Sequence, residues 1–151
     1  MPPDLPEPLA VRAIPAAATV PLRAEVLRPG QPREALVYPG DDDPATVHFG
    51  GFVGERVVGI ASLYAEDRVD GPGGGWRLRG MATAPSARGR GAGAALLAAA
   101  VDHAARGGGS EVWCNARIEA VGFYRRAGFE VVSEEFDIAG IGAHVVMRRA
   151  L

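Results

Sequence analysis

The residues with the most direct chemical use in this sequence are Arg88-Gly89-Arg90-Gly91-Ala92-Gly93, which run straight into an alanine-rich stretch. Where a strand passes through a glycine turn into a helix, unpaired backbone N–H groups and the positive end of the helix dipole converge on one point and suit an anion. The glycines let that anion approach the backbone, and the two arginines add local positive charge. The guest this arrangement predicts is a pyrophosphate. Two other nucleotide-binding patterns do not fit. A Walker loop needs Gly-Lys-Ser or Gly-Lys-Thr, and the chain has no lysine. A dinucleotide fingerprint needs a third glycine three residues after the second, and Leu96 stands there instead.

The elements that must hold this turn can be read around it. Residues 76–83 form an apolar-rich run and predict the preceding strand, and residues 91–106, packed with alanine and leucine and stopped by Gly107-Gly108-Gly109, predict the following helix. Upstream, residues 45–53 and 56–65 flank Gly54-Glu55 and predict an antiparallel hairpin. Downstream, the pattern predicts a strand at 111–115, a helix at 118–126 ended by Gly128, and strands at 129–137 and 143–149. Nearer the start, residues 11–14 read as a first strand and 16–28 as one or two helical turns. Residues 31–44 read as a loop whose Asp41, Asp42 and Asp43 form solvated surface. Because the helix after 76–83 returns the chain to a strand parallel with its predecessor, the sheet is expected to be mixed and mostly antiparallel, with flanking helices. The class is α/β with an α+β mixed sheet. A single domain is expected over residues 11–151, after a flexible lead-in at 1–10 rich in proline and acid.

Composition limits the partners. With 48% hydrophobic and 23% charged residues in 151, the chain matches an ordinary globular domain. A formal charge of -2 gives no general attraction to nucleic acid or anionic membrane, so any polyanion site must be local. Cys114 is the only cysteine, which rules out an intrachain disulfide and a cysteine-based zinc site, and no metal is expected. No export signal or apolar span is legible, and a cytoplasmic location is the expectation. All 16 basic residues are arginine, so the chain offers no lysine for modification in cis.

The spacing Arg88-x-x-Gly91-x-Gly93 resembles the acetyl-CoA pyrophosphate loop of the GNAT acetyltransferases. The later run Ala120-Val121-Gly122-Phe123-Tyr124-Arg125-Arg126-Ala127-Gly128-Phe129 is similar to that family's late helix and closing turn. The likeness covers residues 45–149 well and 11–44 only in outline, the region where this family binds its acceptor. It implies a GNAT fold and transfer of an acetyl group from acetyl-CoA to a small-molecule or peptide amine. It also implies site residues: backbone of Met81 and Thr83 for the pantetheine arm, Arg88 with the amides of Gly89, Arg90, Gly91, Ala92, Gly93 and Ala94 for the pyrophosphate, and Asn115 as a further coenzyme contact. Tyr124 matches the general acid that protonates the departing thiolate. Oxyanion stabilisation is expected from backbone where strands 76–83 and 111–115 splay.

Two positions depart from the family pattern. Arg117 stands where many members have asparagine, and Arg77 where several have a carboxylate base; a guanidinium cannot take a proton at neutral pH. The base is therefore sought among His48 and His144, histidine being the strand residue whose ordinary pKa of about 6.5 suits the task. Glu66, Glu134 and Glu135 are the remaining candidates, and His103 is placed on the outer side of its helix. Arg77 and Arg79 share one side of their strand, which admits an acidic group on the acceptor. A non-catalytic coenzyme-A-binding regulatory or interaction module is the alternative function, and a homodimer is left open.

Overall fold

The computed structural model describes residues 8–151 of the chain. The lead-in expected over residues 1–10 lies outside the described residues as far as residue 7, and the first strand, β1 (Leu9–Ile14), begins two residues earlier than its apolar run suggests. It is followed by a helical stretch without a break, built from a 3-10 turn (Ala16–Thr19), a short α1 (Val20–Leu22) and a π turn (Arg23–Leu27). Pro21 sits at the start of α1, where its missing N–H costs no helical bond. Residues 31–44 are a loop, apart from one 3-10 turn at Arg33–Leu36.

The hairpin forms as β2 (Val47–Val53) and β3 (Arg56–Ala65), then β4 (Gly75–Thr83), α2 (Ala92–Arg106) and β5 (Glu111–Arg117). A 3-10 turn at Ile118–Ala120 leads into α3 (Val121–Arg126). The long strand expected at 129–137 is instead two, β6 (Glu130–Val131) and β7 (Phe136–Ile138), both paired with β8 (Gly142–Ala150). Between them the hydroxyl of Ser133 takes over from the ladder and accepts the Val146 N–H at 2.8 Å.

Eight strands make one sheet in the order β1-β2-β3-β4-β5-β8-β6, with β7 also on β8. Among the described residues only β4 and β5 run parallel, joined through α2 as a crossover. The main core lies on the face that α2 covers. Leu96, Leu97, Ala100 and Ala104, spaced at three and four residues, bury one side of the helix against Ala61, Leu63, Leu78, Val112, Cys114 and Met147. His103 rests edge-on against Phe49 and Trp76, at 6.1 and 5.6 Å between ring centroids, so it faces the sheet and not the outside as expected. On the opposite face Leu22, Ile60 and Ala82 form a second, smaller cluster with Val26 and Leu27, which brings the early helical stretch down onto β3 and β4.

Candidate active site

Parallel pairing between β4 and β5 is short, running only from Gly75↔Glu111 to Arg77↔Trp113. Beyond it the strands part, because β4 carries a bulge: Ile60 of β3 pairs with Ala82 and Ser62 with Arg79, so Gly80 and Met81 together oppose Ala61. Gly80 adopts φ +66, and a Cβ there would meet the Tyr38 ring at 3.3 Å and Arg23 Nε at 3.6 Å. Only glycine meets both the left-handed backbone and the close packing of Tyr38.

The divergence opens a cleft of about 520 Å³. Met81, Thr83, Arg88, Gly93, Asn115, Tyr124 and His144, expected from sequence as site residues, all line it. Gly89, Arg90, Gly91 and Ala92 lie between two of these lining positions, and Ala94 follows on the first turn of α2. His48 is not among the lining residues.

Gly89 and Gly91 have φ +82 and +79, and nothing lies within 4 Å of where their Cβ atoms would stand. The space over the turn is open and its backbone is left-handed, so a side chain at either position would meet no protein neighbour but would be strained. The first helical bond of α2 runs from Ala95 N–H to the Gly91 carbonyl at 3.0 Å, and no side chain caps the helix. The amides before Ala95 therefore have no partner within the helix. Phe123 of α3 packs against this start, its ring 3.3 Å from the Cβ position of Gly93.

Tyr124 is 8% exposed and packs among Phe123, Phe129 and Cys114. Burial, and then the neighbouring Cys114 thiol with which it shares a hydrogen bond, raise the phenol well above its ordinary value. The hydroxyl holds its proton at neutral pH. Burial likewise pushes the Cys114 thiol up to about 12, so it keeps its proton at neutral pH.

The two histidines differ in what remains free on the ring. His48 Nε2 is 3.0 Å from the Asp41 carbonyl, which can only accept, so Nδ1 accepts from the Ser62 hydroxyl at 2.6 Å. Both nitrogens are occupied. His144 Nδ1 donates to the Gly142 carbonyl at 2.7 Å, which leaves Nε2 as the proton acceptor on a residue that lines the cleft. Glu66 pairs with Arg77 at 3.1 Å.

Early-chain residues complete the far side of the cleft, and local sequence signals do not reveal them. Asp41, expected as solvated surface, is buried and receives Arg23 through both guanidinium nitrogens, at 2.6 and 3.1 Å. The Tyr64 hydroxyl at 2.6 Å and the Tyr38 N–H at 2.9 Å also donate to it. Burial alone would raise this carboxyl, but those donors outweigh it and hold Asp41 below the ordinary carboxylate range. The bidentate pair fastens the helical stretch and the 31–44 loop to β3, and Tyr38 emerges from it into the cleft lining beneath the Arg23 guanidinium, 3.9 Å from its ring centroid. The only earlier hints were an arginine and an aspartate 18 residues apart, with nothing local to join them.

Comparison with known proteins follows the same outline. The family model described as acetyltransferase (GNAT) family matches residues 18–129. The chain is 36% identical over 144 residues to the protein named "Uncharacterized N-acetyltransferase YitI" of Bacillus subtilis (strain 168), covering 95% of this chain and 97% of that protein. Its fold is similar to that of a GCN5-related N-acetyltransferase from Kribbella flavida, with 25% identity, a TM-score of 0.75, and 95% and 98% of the two chains covered. It is also similar to an aminoglycoside 6'-N-acetyltransferase complexed with coenzyme A, at 12% identity and a TM-score of 0.75 over 93% and 96% of the chains.

Proposed function

Since the chain belongs to the GNAT family of acetyltransferases, we propose that it transfers the acetyl group of acetyl-CoA to a primary amine by direct attack. The observation that carries this reading is the cleft between the parted strands, which has the glycine turn at one rim and the buried Tyr124 hydroxyl in its lining. The open space over Gly89 and Gly91 fits a pyrophosphate, held by the first amides of α2, which have no partner within the helix, with Arg88 beside them. Backbone groups of Met81 and Thr83, past the end of the β4–β5 ladder, bind the pantetheine arm as an added strand would, and Asn115 contacts it from β5.

In the reaction the amine nitrogen forms a bond to the thioester carbonyl carbon while the carbon–sulfur bond breaks. The nitrogen's proton passes to a base and the sulfur takes one from Tyr124, giving an amide and free thiol. Backbone N–H groups at the splay stabilise the developing oxyanion. The direct test is an acceptor screen that follows thiol release from acetyl-CoA. No release above the hydrolysis background, with acetyl-CoA demonstrably bound, would remove the transfer reading.

His144 serves as the base, directly or through one water, because its Nε2 is the imidazole nitrogen left to accept a proton in the cleft. The expected result is a kcat/KM that rises with pH through one inflection that depends on this side chain. His144→Gln should abolish that inflection and His48→Gln should keep it. The reverse pattern would transfer the role to His48.

Gly91→Gln should weaken acetyl-CoA binding by at least about 10-fold, the equivalent of roughly 1.4 kcal/mol. It adds a side chain in the anion's space and a left-handed strain of about 1–2 kcal/mol. Titration calorimetry on a folded variant with unchanged affinity would move the pyrophosphate elsewhere.

A further inference from the structure

The cleft is lined by five arginines, Arg28, Arg77, Arg79, Arg88 and Arg117, and by no aspartate or glutamate among the described residues. This stands against a chain whose formal charge is -2. Arg88 belongs to the glycine turn, and Arg117 lies at the far end of β5, both past the point where the strands part. Of the other three, Arg28 and Arg79 lie over the Tyr38 ring, and Arg77 lies over the Trp113 ring at 5.2 Å. Each of their charges can be traced. Arg77 is paired with Glu66 at 3.1 Å. Arg28 donates to the Ala35 carbonyl at 2.8 Å and lies over the Tyr38 ring at 4.8 Å. Arg79 lies over the same ring at 4.4 Å and, among the described residues, meets neither a carboxylate nor a hydrogen-bond acceptor.

The Arg79 guanidinium is half-buried and has no acceptor from the protein among the described residues, so its hydrogens are open to the cleft, where an anion can take them. Burial, and then the neighbouring Arg77, disfavour its charge, which an anion would relieve. The Tyr38 ring holds the guanidinium plane in place, so little rotamer freedom is left to lose when an anion arrives. The ring is itself held by its backbone bond to Asp41 and by the glycine at position 80. Arg23, the third guanidinium on this ring, is already neutralised by Asp41 and is not available.

Resting on the transfer reading above, we propose that the acceptor is a small amine that also carries an anionic group, and that Arg79 binds that group while the amine points toward the parted strands. A carboxylate and a phosphate share the required chemistry, planar or tetrahedral oxygens able to take two guanidinium hydrogens. Arg79 acts on specificity and takes no part in proton transfer.

Thiol release from acetyl-CoA tests this with matched acceptors: the α-amino acids against their carboxamides, phosphoethanolamine against ethanolamine, and dipeptides with free or amidated C-termini. The expected result is at least one anionic amine with a kcat/KM on the order of 10- to 100-fold above its neutral counterpart, the range of a charge-assisted hydrogen bond. The carboxylate and phosphate arms identify which anion is used, and the dipeptides set the length tolerated. Arg79→Gln should erase the preference through KM with kcat nearly kept and acetyl-CoA affinity unchanged, and Arg79→Lys should restore part of it. Neutral amines used as well as anionic ones, a panel that stays silent although calorimetry shows acetyl-CoA bound, or a preference that survives in Arg79→Gln would each overturn the proposal. Failure to bind acetyl-CoA would instead overturn the transfer reading beneath it.

Discussion

Replacing Tyr124 by phenylalanine is expected to lower kcat by roughly 10²- to 10⁴-fold, the usual cost of losing a general acid, while acetyl-CoA affinity stays nearly unchanged. The change deletes one oxygen from a residue whose ring is already packed by Phe123 and Phe129, so the fold has no cause to move. The hydroxyl's other partner is the buried Cys114 thiol, a weak hydrogen-bonding group that loses little. What disappears is the proton that the departing sulfur needs, and that loss is felt only as the carbon–sulfur bond breaks. Pre-steady-state mixing should therefore show acetyl-CoA bound at its normal rate and thiol released slowly. Equal turnover of the two proteins across the pH range would assign the proton to water and leave Tyr124 a packing role.

The second large effect is on stability. Asp41→Ala leaves Arg23 buried with no counterion, a change that costs about 3–5 kcal/mol and should lower Tm by about 6–20 °C in a chain of this size. Removing both charges together, as Arg23→Met with Asp41→Leu, should recover much of the loss, since an apolar pair of similar volume bears no desolvation penalty. A thermal melt of Asp41→Ala within about 1 °C of the parent protein would show that the pair contributes nothing. The same carboxylate gives stability a pH dependence. Its folded value lies below the ordinary range, so its contribution is complete above about pH 4 to 5 and is lost as pH falls through the folded value. Glu111, buried between Arg68 and Arg148, behaves alike: burial would raise it, and the two arginines hold it down. Asp41→Asn should flatten the acid limb without abolishing it, because Glu111 remains.

Where a signal is local, the sequence was a good guide. The helix from Ala92 to Arg106 and the turn before it are written in alanine, leucine and glycine, residues whose preference for those conformations needs no distant partner. The hairpin, the crossover to a parallel strand and the position of Tyr124 follow from similarly short patterns. The errors came from contacts between segments far apart in the chain. Three consecutive aspartates look like solvated surface, and Asp42 and Asp43 are exposed, but Asp41 is buried because Arg23 and Tyr64 reach it from 18 and 23 residues away. Residues 129–137 read as one strand, yet after Val132, whose N–H still donates to the Val146 carbonyl at 2.9 Å, the chain leaves the ladder and Ser133 makes the bond to β8 with its side chain. His48 and His144 could not be separated on the page, since both stand on strands. The cleft, which His144 lines and His48 does not, and the partners of their ring nitrogens separate them.

Between β1 and β2 the chain contributes no strand to the sheet. That stretch, which supplies Arg28 and Tyr38 to the cleft, is fastened mainly by side chains: the Arg23–Asp41 pair and the packing of Leu22, Val26 and Leu27. A ladder constrains every residue along it through the backbone, whereas this attachment constrains a handful of named positions. Under selection the two halves of the protein are therefore not equally free. Drift in β4, β5 or the turn before α2 disturbs a geometry that every acceptor would share. The segment from 16 to 44 can exchange, lengthen or recharge its remaining residues at little cost to that geometry, as long as one arginine still meets one aspartate. Heritable change in what the protein acetylates should accumulate there first.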